Sequence, residues 1–166
     1  MLAAAWWALV GCADEDGSAS TAVAVETDES VVPGSPVGFD LGEVSVTTTD
    51  GGHRTFSVWV ADSTDERGRG LMDVTDLGEA EGMLFVFDSE GVARFYMWQT
   101  PMPLDIAFLD ADGRFVDSAE MEPCLEPSSA SCARYAPDEP FLMALEVPAG
   151  ELDDLGIGPG ARITRS

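Results

Sequence analysis

The sequence predicts a mainly β domain, a β-sandwich or barrel with one or two short helices, and three observations carry that expectation. Apolar and polar residues alternate in several short runs, turn residues (Gly, Asp, Pro) separate the runs, and helical periodicity is confined to short segments. Many short strands with only small helices imply sheet packing of this kind. A chain of 166 residues allows one domain of ordinary size once a leader and tether are set aside.

Val44-Ser45-Val46-Thr47 and Phe56-Ser57-Val58-Trp59-Val60 alternate as the two arms of a hairpin turned by Asp50-Gly51-Gly52. Asp62 or Ser63 can cap a short helix through Glu66, Arg67 and Arg69 to Met72, loosened by Gly68 and Gly70. Met83-Leu84-Phe85-Val86-Phe87 is apolar at every position, the pattern of a central strand buried on both faces, and residues 94–98 read as a further strand. Residues 104–109 and 114–121 flank Asp110-Ala111-Asp112-Gly113, a hairpin turn. Residues 141–147 read as a strand, 149–155 as a short helix that Gly156 would end, and 161–165 as a last short strand.

The chain begins with an apolar run ending in Leu9-Val10-Gly11-Cys12. That order reads as a lipoprotein processing site, in which small Gly11 permits cleavage and the Cys12 thiol takes a lipid. No Lys or Arg precedes the run, which is short for a signal; a start that trims a basic segment would account for both. The expected division is a leader over residues 1–12, an acidic, Ser/Thr-rich tether over 13–36 and one β domain over 37–166, anchored at the outer face of the cell membrane. With Cys12 lipidated, Cys124 and Cys132 remain as an even pair in an exported domain. A bridge between them would stabilise by roughly 2–3 kcal/mol. Free thiols and a metal site are the alternatives, the latter weakly supported in a chain with one His.

Formal net charge is -23, from 31 Asp+Glu against 8 basic residues, all of them Arg. A lysine-free, acid-rich composition points to a salt-saturated habitat, where a Debye length of roughly 3 Å at molar salt screens carboxylates from one another. The same charge repels nucleic acid and anionic lipid surfaces, so no nucleic-acid partner is expected.

Strand alternation makes two acids conspicuous. Asp105 shares a face with Ala107 and Leu109, and Glu146 shares one with Leu142 and Ala144. A carboxylate among apolar neighbours is costly unless paired. Two of them on one concave sheet would bind a polar ligand or do acid/base work, and pairing with Arg69 or Arg94 is the structural alternative. Tyr96, Trp98, Gln99 and Thr100 lead into Pro101-Met102-Pro103, a pattern that fits a carbohydrate or small-ligand groove, or a core edge beside a stiff turn. Met72, Met83, Met97, Met102, Met121 and Met143 raise copper(I) handling, yet they form no M-x-M cluster, and Met on strands is ordinarily core filler. His53, beside a Gly-Gly turn, reads as an exposed turn residue. G-x-S-x-G, phosphate-loop and dinucleotide motifs are missing from the chain, and no metal or cofactor is expected.

Several blocks occur in a telling order: Arg67-Gly68-Arg69-Gly70-Leu71-Met72, Gly82-Met83-Leu84-Phe85-Val86-Phe87, and Phe95-Tyr96-Met97-Trp98-Gln99-Thr100-Pro101-Met102-Pro103-Leu104-Asp105-Ile106-Ala107-Phe108. Asp112-Gly113, Met121-Glu122-Pro123-Cys124, Tyr135 and Ala144-Leu145-Glu146-Val147 follow. Together they resemble the DUF192 family, a group of mostly exported prokaryotic proteins named as a domain of unknown function, over residues 44–164. The resemblance implies a jelly-roll-like fold and no established activity. Trp98 and Gln99 stand where the family block usually carries Lys and Asn.

Arg69, Met72, Trp98, Gln99, Thr100, Asp105 and Glu146 are the residues expected to form a shared site, or else the internal polar network of the fold. Arg69 would clamp an anionic group, Gln99 and Thr100 would orient a ligand by hydrogen bonds, and Met72 and Trp98 would supply an apolar wall. The expected function is a noncatalytic, lipid-anchored binding or accessory module of the cell envelope, engaging a small polar ligand, a glycan or a protein. An enzyme built on Asp105 and Glu146 is the alternative, with copper handling through Met and Cys behind it.

Overall fold

Two arms of alternating residues fold back on one another around Asp50-Gly51-Gly52, as their pattern requires; the structure, a computed structural model, describes residues 34–166. β1 (Asp40–Thr47) and β2 (His53–Ala61) pair antiparallel, with Val44 opposite Phe56 and Thr47 opposite His53. Asp50 accepts hydrogen bonds from the Thr48 hydroxyl and the Gly52 amide, which fix the turn and hold its carboxyl below the usual range. Ser63 caps α1 (Thr64–Arg69): its side chain accepts from the Glu66 amide, while the Glu66 carboxylate accepts from the Ser63 amide at 2.9 Å. Gly70 ends the helix at φ 48°, two residues short of the Met72 suggested by spacing.

β3 (Gly82–Gly91), β4 (Leu104–Leu109), β5 (Phe115–Met121), β6 (Phe141–Pro148), α2 (Glu151–Leu155) and β7 (Arg162–Arg165) complete the order. Residues 94–98 are not the strand that alternation predicted. They make only isolated bridges, Phe95 with Tyr135 and Trp98 with Cys124, because this segment pairs with the cysteine loop instead of a sheet neighbour.

The seven strands lie in one sheet of order β5-β4-β6-β3-β2-β1-β7. This corrects the jelly-roll-like sandwich or barrel expected above: the strand order is open, and no second sheet is present among the described residues. The cause lies in pairing. β2 and β3 run parallel, Val58 beside Gly82, so the chain between them must cross one face of the sheet, carrying α1 with it. The central strands are then buried on both sides. Met83, Phe85, Phe108 and Ala144 pack on one face, and Leu84, Ala107, Leu109 and Leu145 on the other. In a two-sheet sandwich each strand shows alternate residues to solvent, whereas here Leu71, Val74 and Leu77 cover the first face and Leu152, Leu155 and Ile157 the second. Alternation reports which side a residue takes, not what covers that side.

β5 and β7 end the sheet. Just before β5, Arg114 forms one isolated bridge with Arg162, and the Ile163 amide donates to the Gly113 carbonyl at 2.7 Å. A Cβ on Gly113 would lie 1.9 Å from the Ile163 carbonyl oxygen, and its φ of 74° is the left-handed conformation that glycine permits.

Cys12, the leader and tether residues 13–33 lie outside the described residues. Residues 34–36, assigned to the tether from composition, rest on the domain: the Gly34 carbonyl accepts from the Thr75 amide at 2.8 Å, and Pro36 is buried. Cys124 and Cys132 form a disulfide with their Cα atoms 5.8 Å apart. No described helix is long and apolar enough to cross a membrane.

Candidate functional site

β6 is flanked by β3 and β4, and this position decides the surroundings of Glu146. Its cross-strand neighbours are Met83 on β3 and Ile106 on β4. The residue is 5% exposed, and among the described residues no side chain or backbone group hydrogen-bonds its carboxyl. Burial alone pushes that carboxyl up to about 8. Gly82 is part of the reason for such close packing: a Cβ there would meet the Glu146 carbonyl oxygen at 2.2 Å.

Above Glu146 opens a cavity of about 230 Å³. Arg69 and Met72, from α1 and the turn after it, line it together with Thr100 and Glu146. Four of the seven residues expected from the sequence therefore meet. Arg67, Arg94, Phe85, Phe95 and Tyr96 complete the walls that matter chemically. Phe85 and Phe95 meet edge to face with centroids 5.1 Å apart, and Phe95 packs on Phe108 and Phe141 behind. Thr100 is 4% exposed.

The rim is made by arginines in different states. Arg67 is committed to the fold: it donates to the Val86 carbonyl at 2.8 Å and to the Asp62 carbonyl, and pairs with Asp88 at 3.7 Å. Arg69 lies over the Phe39 ring, its guanidinium carbon 4.2 Å from the centroid. Arg134 covers the Tyr96 ring at 4.6 Å and donates to the Cys132 carbonyl. Neither Arg69 nor Arg94 forms the ion pair with Asp105 or Glu146 that was the structural alternative.

The other expected residues lie elsewhere. Trp98 and Gln99 face a separate groove of about 420 Å³ with Asp73, Leu125 and Pro127. Trp98 donates its indole N–H to the Glu126 carbonyl at 3.0 Å. Gln99 sits at φ 56°, its amide donating to the Cys124 carbonyl and its own carbonyl accepting from Asp73. Asp105 is opposite Val147, while Ile106 is opposite Glu146. Paired residues point to the same side and neighbours to opposite sides, so Asp105 and Glu146 lie on opposite faces of the sheet. They do not form a catalytic pair. Asp105 instead accepts from the Gly150 amide at 2.8 Å, holding the turn before α2.

Met83, Met97 and Met121 are buried in the core on one face of the sheet with Met102 packed against them, Met143 packs on the other face and Met72 lines a cavity, the positions of core-filling side chains. Both described cysteines are consumed by the disulfide. His53 lies at the hairpin, its Nδ1 3.3 Å from the Thr47 hydroxyl. A larger groove of about 530 Å³ beside that hairpin holds Asp50, His53, Arg54 and Asp153 but no buried polar side chain. Sequence reasoning missed Arg67 and Phe85 as cavity residues. The recurrence of Arg within Arg67-Gly68-Arg69, in a chain poor in cations, was the available signal.

The family model DUF192, described as "Uncharacterized ACR", matches residues 45–165. No curated protein matches the chain. A crystal structure of a protein of unknown function from Novosphingobium aromaticivorans DSM 12444 is 32% identical, with a TM-score of 0.67, covering 82% of this chain and 94% of its own. A crystal structure from Sinorhizobium meliloti 1021, whose description proposes a transcription regulator, is 28% identical with a TM-score of 0.67, covering 78% of this chain and 97% of its own.

Proposed function

The chain belongs to the DUF192 family, whose name carries no activity, and from that premise we propose that it is a noncatalytic binding module for a small polar ligand, held at the outer face of the membrane by a lipid on Cys12. The observation that carries the ligand reading is the cavity in which Arg69, Met72, Thr100 and buried Glu146 converge. Its volume of about 230 Å³ is below the roughly 300–1,000 Å³ typical of drug-sized ligands, which favours a compact molecule over a glycan chain or a protein segment. An unpartnered buried carboxyl is costly to a fold, and such a group in a cleft is a mark of ligand sites.

The noncatalytic assignment is supported by the separation of Asp105 from Glu146 across the sheet, which leaves no acid/base pair in the cavity. A net charge of -23 opposes the phosphate backbone of nucleic acid. Lipidation and position outside the cell rest on the Leu9-Val10-Gly11-Cys12 order, and mass spectrometry of the mature protein checks them by the mass added at Cys12.

The cavity reading is tested by nuclear magnetic resonance screening of the full chain against small amino acids, monosaccharides, carboxylic acids and amides. Hits are expected to shift the amides of Arg69, Met72, Thr100 and Glu146, and Thr100→Val is expected to weaken them while leaving the melting temperature nearly unchanged. Hits that map to Trp98 and Gln99, or a complete lack of hits, would reject the cavity as the site.

A further inference from the structure

Building on the cavity as the ligand site, we infer that its ligand is a small carboxylate with a compact apolar or aromatic body. The argument starts from charge. In a chain with 31 acids and 8 arginines, the cavity is lined by three arginines and a single acid. Five of the eight arginines are held by hydrogen bonds or ion pairs: Arg67, Arg114, Arg134, Arg162 and Arg165. Arg54, Arg69 and Arg94 have neither among the described residues; Arg54 lines the groove beside the first hairpin, while Arg69 and Arg94 both stand at this opening. The Arg69 guanidinium carbon lies 4.2 Å from the Phe39 ring centroid, and its N–H groups have no hydrogen-bond partner among the described residues. That planar fork matches a carboxylate through two parallel hydrogen bonds.

The interior selects the rest of the molecule. Phe85 and Phe95 present ring surface to the cavity, and Tyr96 adds a third ring held by Arg134. At the floor, burial keeps the Glu146 carboxyl protonated at neutral pH, so it offers an O–H donor, and the Thr100 hydroxyl lies in the same cavity. A cationic ligand is disfavoured by the same inventory. The charged or titratable groups facing Glu146 across the cavity are Arg67 and Arg69 from α1 and Arg94 and Tyr96 from the segment after β3. β3 and β4 contribute Met83 and Ile106 beside it, which carry no charge.

The test uses the full chain and three matched pairs of probes: benzoate, phenylacetate and isovalerate, each beside its neutral carboxamide. Calorimetry measures affinity, and amide shifts at Arg69, Tyr96 and Thr100 report the location. At least one carboxylate is expected to bind in the cavity about tenfold or more tightly than its carboxamide, and R69A/R94A to remove that preference. Wild-type affinity for the carboxylate is expected to drop as pH rises past about 8, and E146Q, whose amide still donates, to lose that drop. Carboxamides that bind in the cavity as well as the carboxylates would overturn the anion assignment and leave the cavity as a ligand site. If none of the six probes shifts a cavity amide, and the broader screen above also finds none, both readings fail.

Discussion

Glu146 places a testable pH dependence in the stability of the fold. Its carboxyl is raised to about 8 in the folded chain, against 4.5 for an ordinary Glu. Between those values the folded protein holds a proton that the unfolded chain has released. The contribution to stability is therefore full below about pH 4.5 and declines as pH rises toward 8, by an amount on the order of a few kcal/mol. Glu146→Gln removes this titration. Denaturant unfolding at about pH 5 and pH 8 is expected to show wild type losing more stability than the variant over that interval. Parallel profiles would place the carboxyl in contact with a partner or with water.

The elements show where sequence patterns are sufficient. The first hairpin, a helix cap at Asp62 or Ser63 and the helix stop at Gly156 were legible because each signal lies within a few residues. Within β4 and β6 the alternation correctly set Asp105 with Ala107 and Leu109, and Glu146 with Ala144. What neither strand contains is the register between them. Asp105 opposite Val147 puts the two acids on opposite faces, whereas a shift of one residue would have put them together. Residues 94–98 failed for a related reason, since alternation does not distinguish a ladder from two bridges to a loop. Of the site, the cluster Arg69, Met72, Thr100 and Glu146 was legible, while Trp98, Gln99 and Asp105 were separated by contacts distant in sequence. At this scale Gly113→Ala is expected to destabilise by about 1–3 kcal/mol, because it combines a positive φ with a clash against Ile163. Amide exchange should quicken first at residues 113–115 and 161–163; wild-type stability in the variant would contradict the close approach.

Across the described residues, the central strands of the sheet are buried on both faces, while much of the cavity wall comes from connections laid over one face. Replacing Cys124 and Cys132 together by Ser is expected to lower unfolding free energy by roughly 2–3 kcal/mol. An unchanged denaturation midpoint would show the bridge to be redundant. The loss should fall unevenly. The Cys124 amide donates to the Met97 carbonyl and its carbonyl accepts from the Gln99 amide, so the bridged loop steadies the segment that carries Tyr96 and Thr100. With dithiothreitol, hydrogen exchange is expected to accelerate at the Cys124 and Gln99 amides well before Leu145 on β6. The order of this cavity wall is then expected to depend on the redox history of the chain as well as its sequence. A chain with Cys124 and Cys132 reduced is expected to keep the sheet while the cavity wall stays slack, so that the wall matures only once the two sulfurs are oxidised.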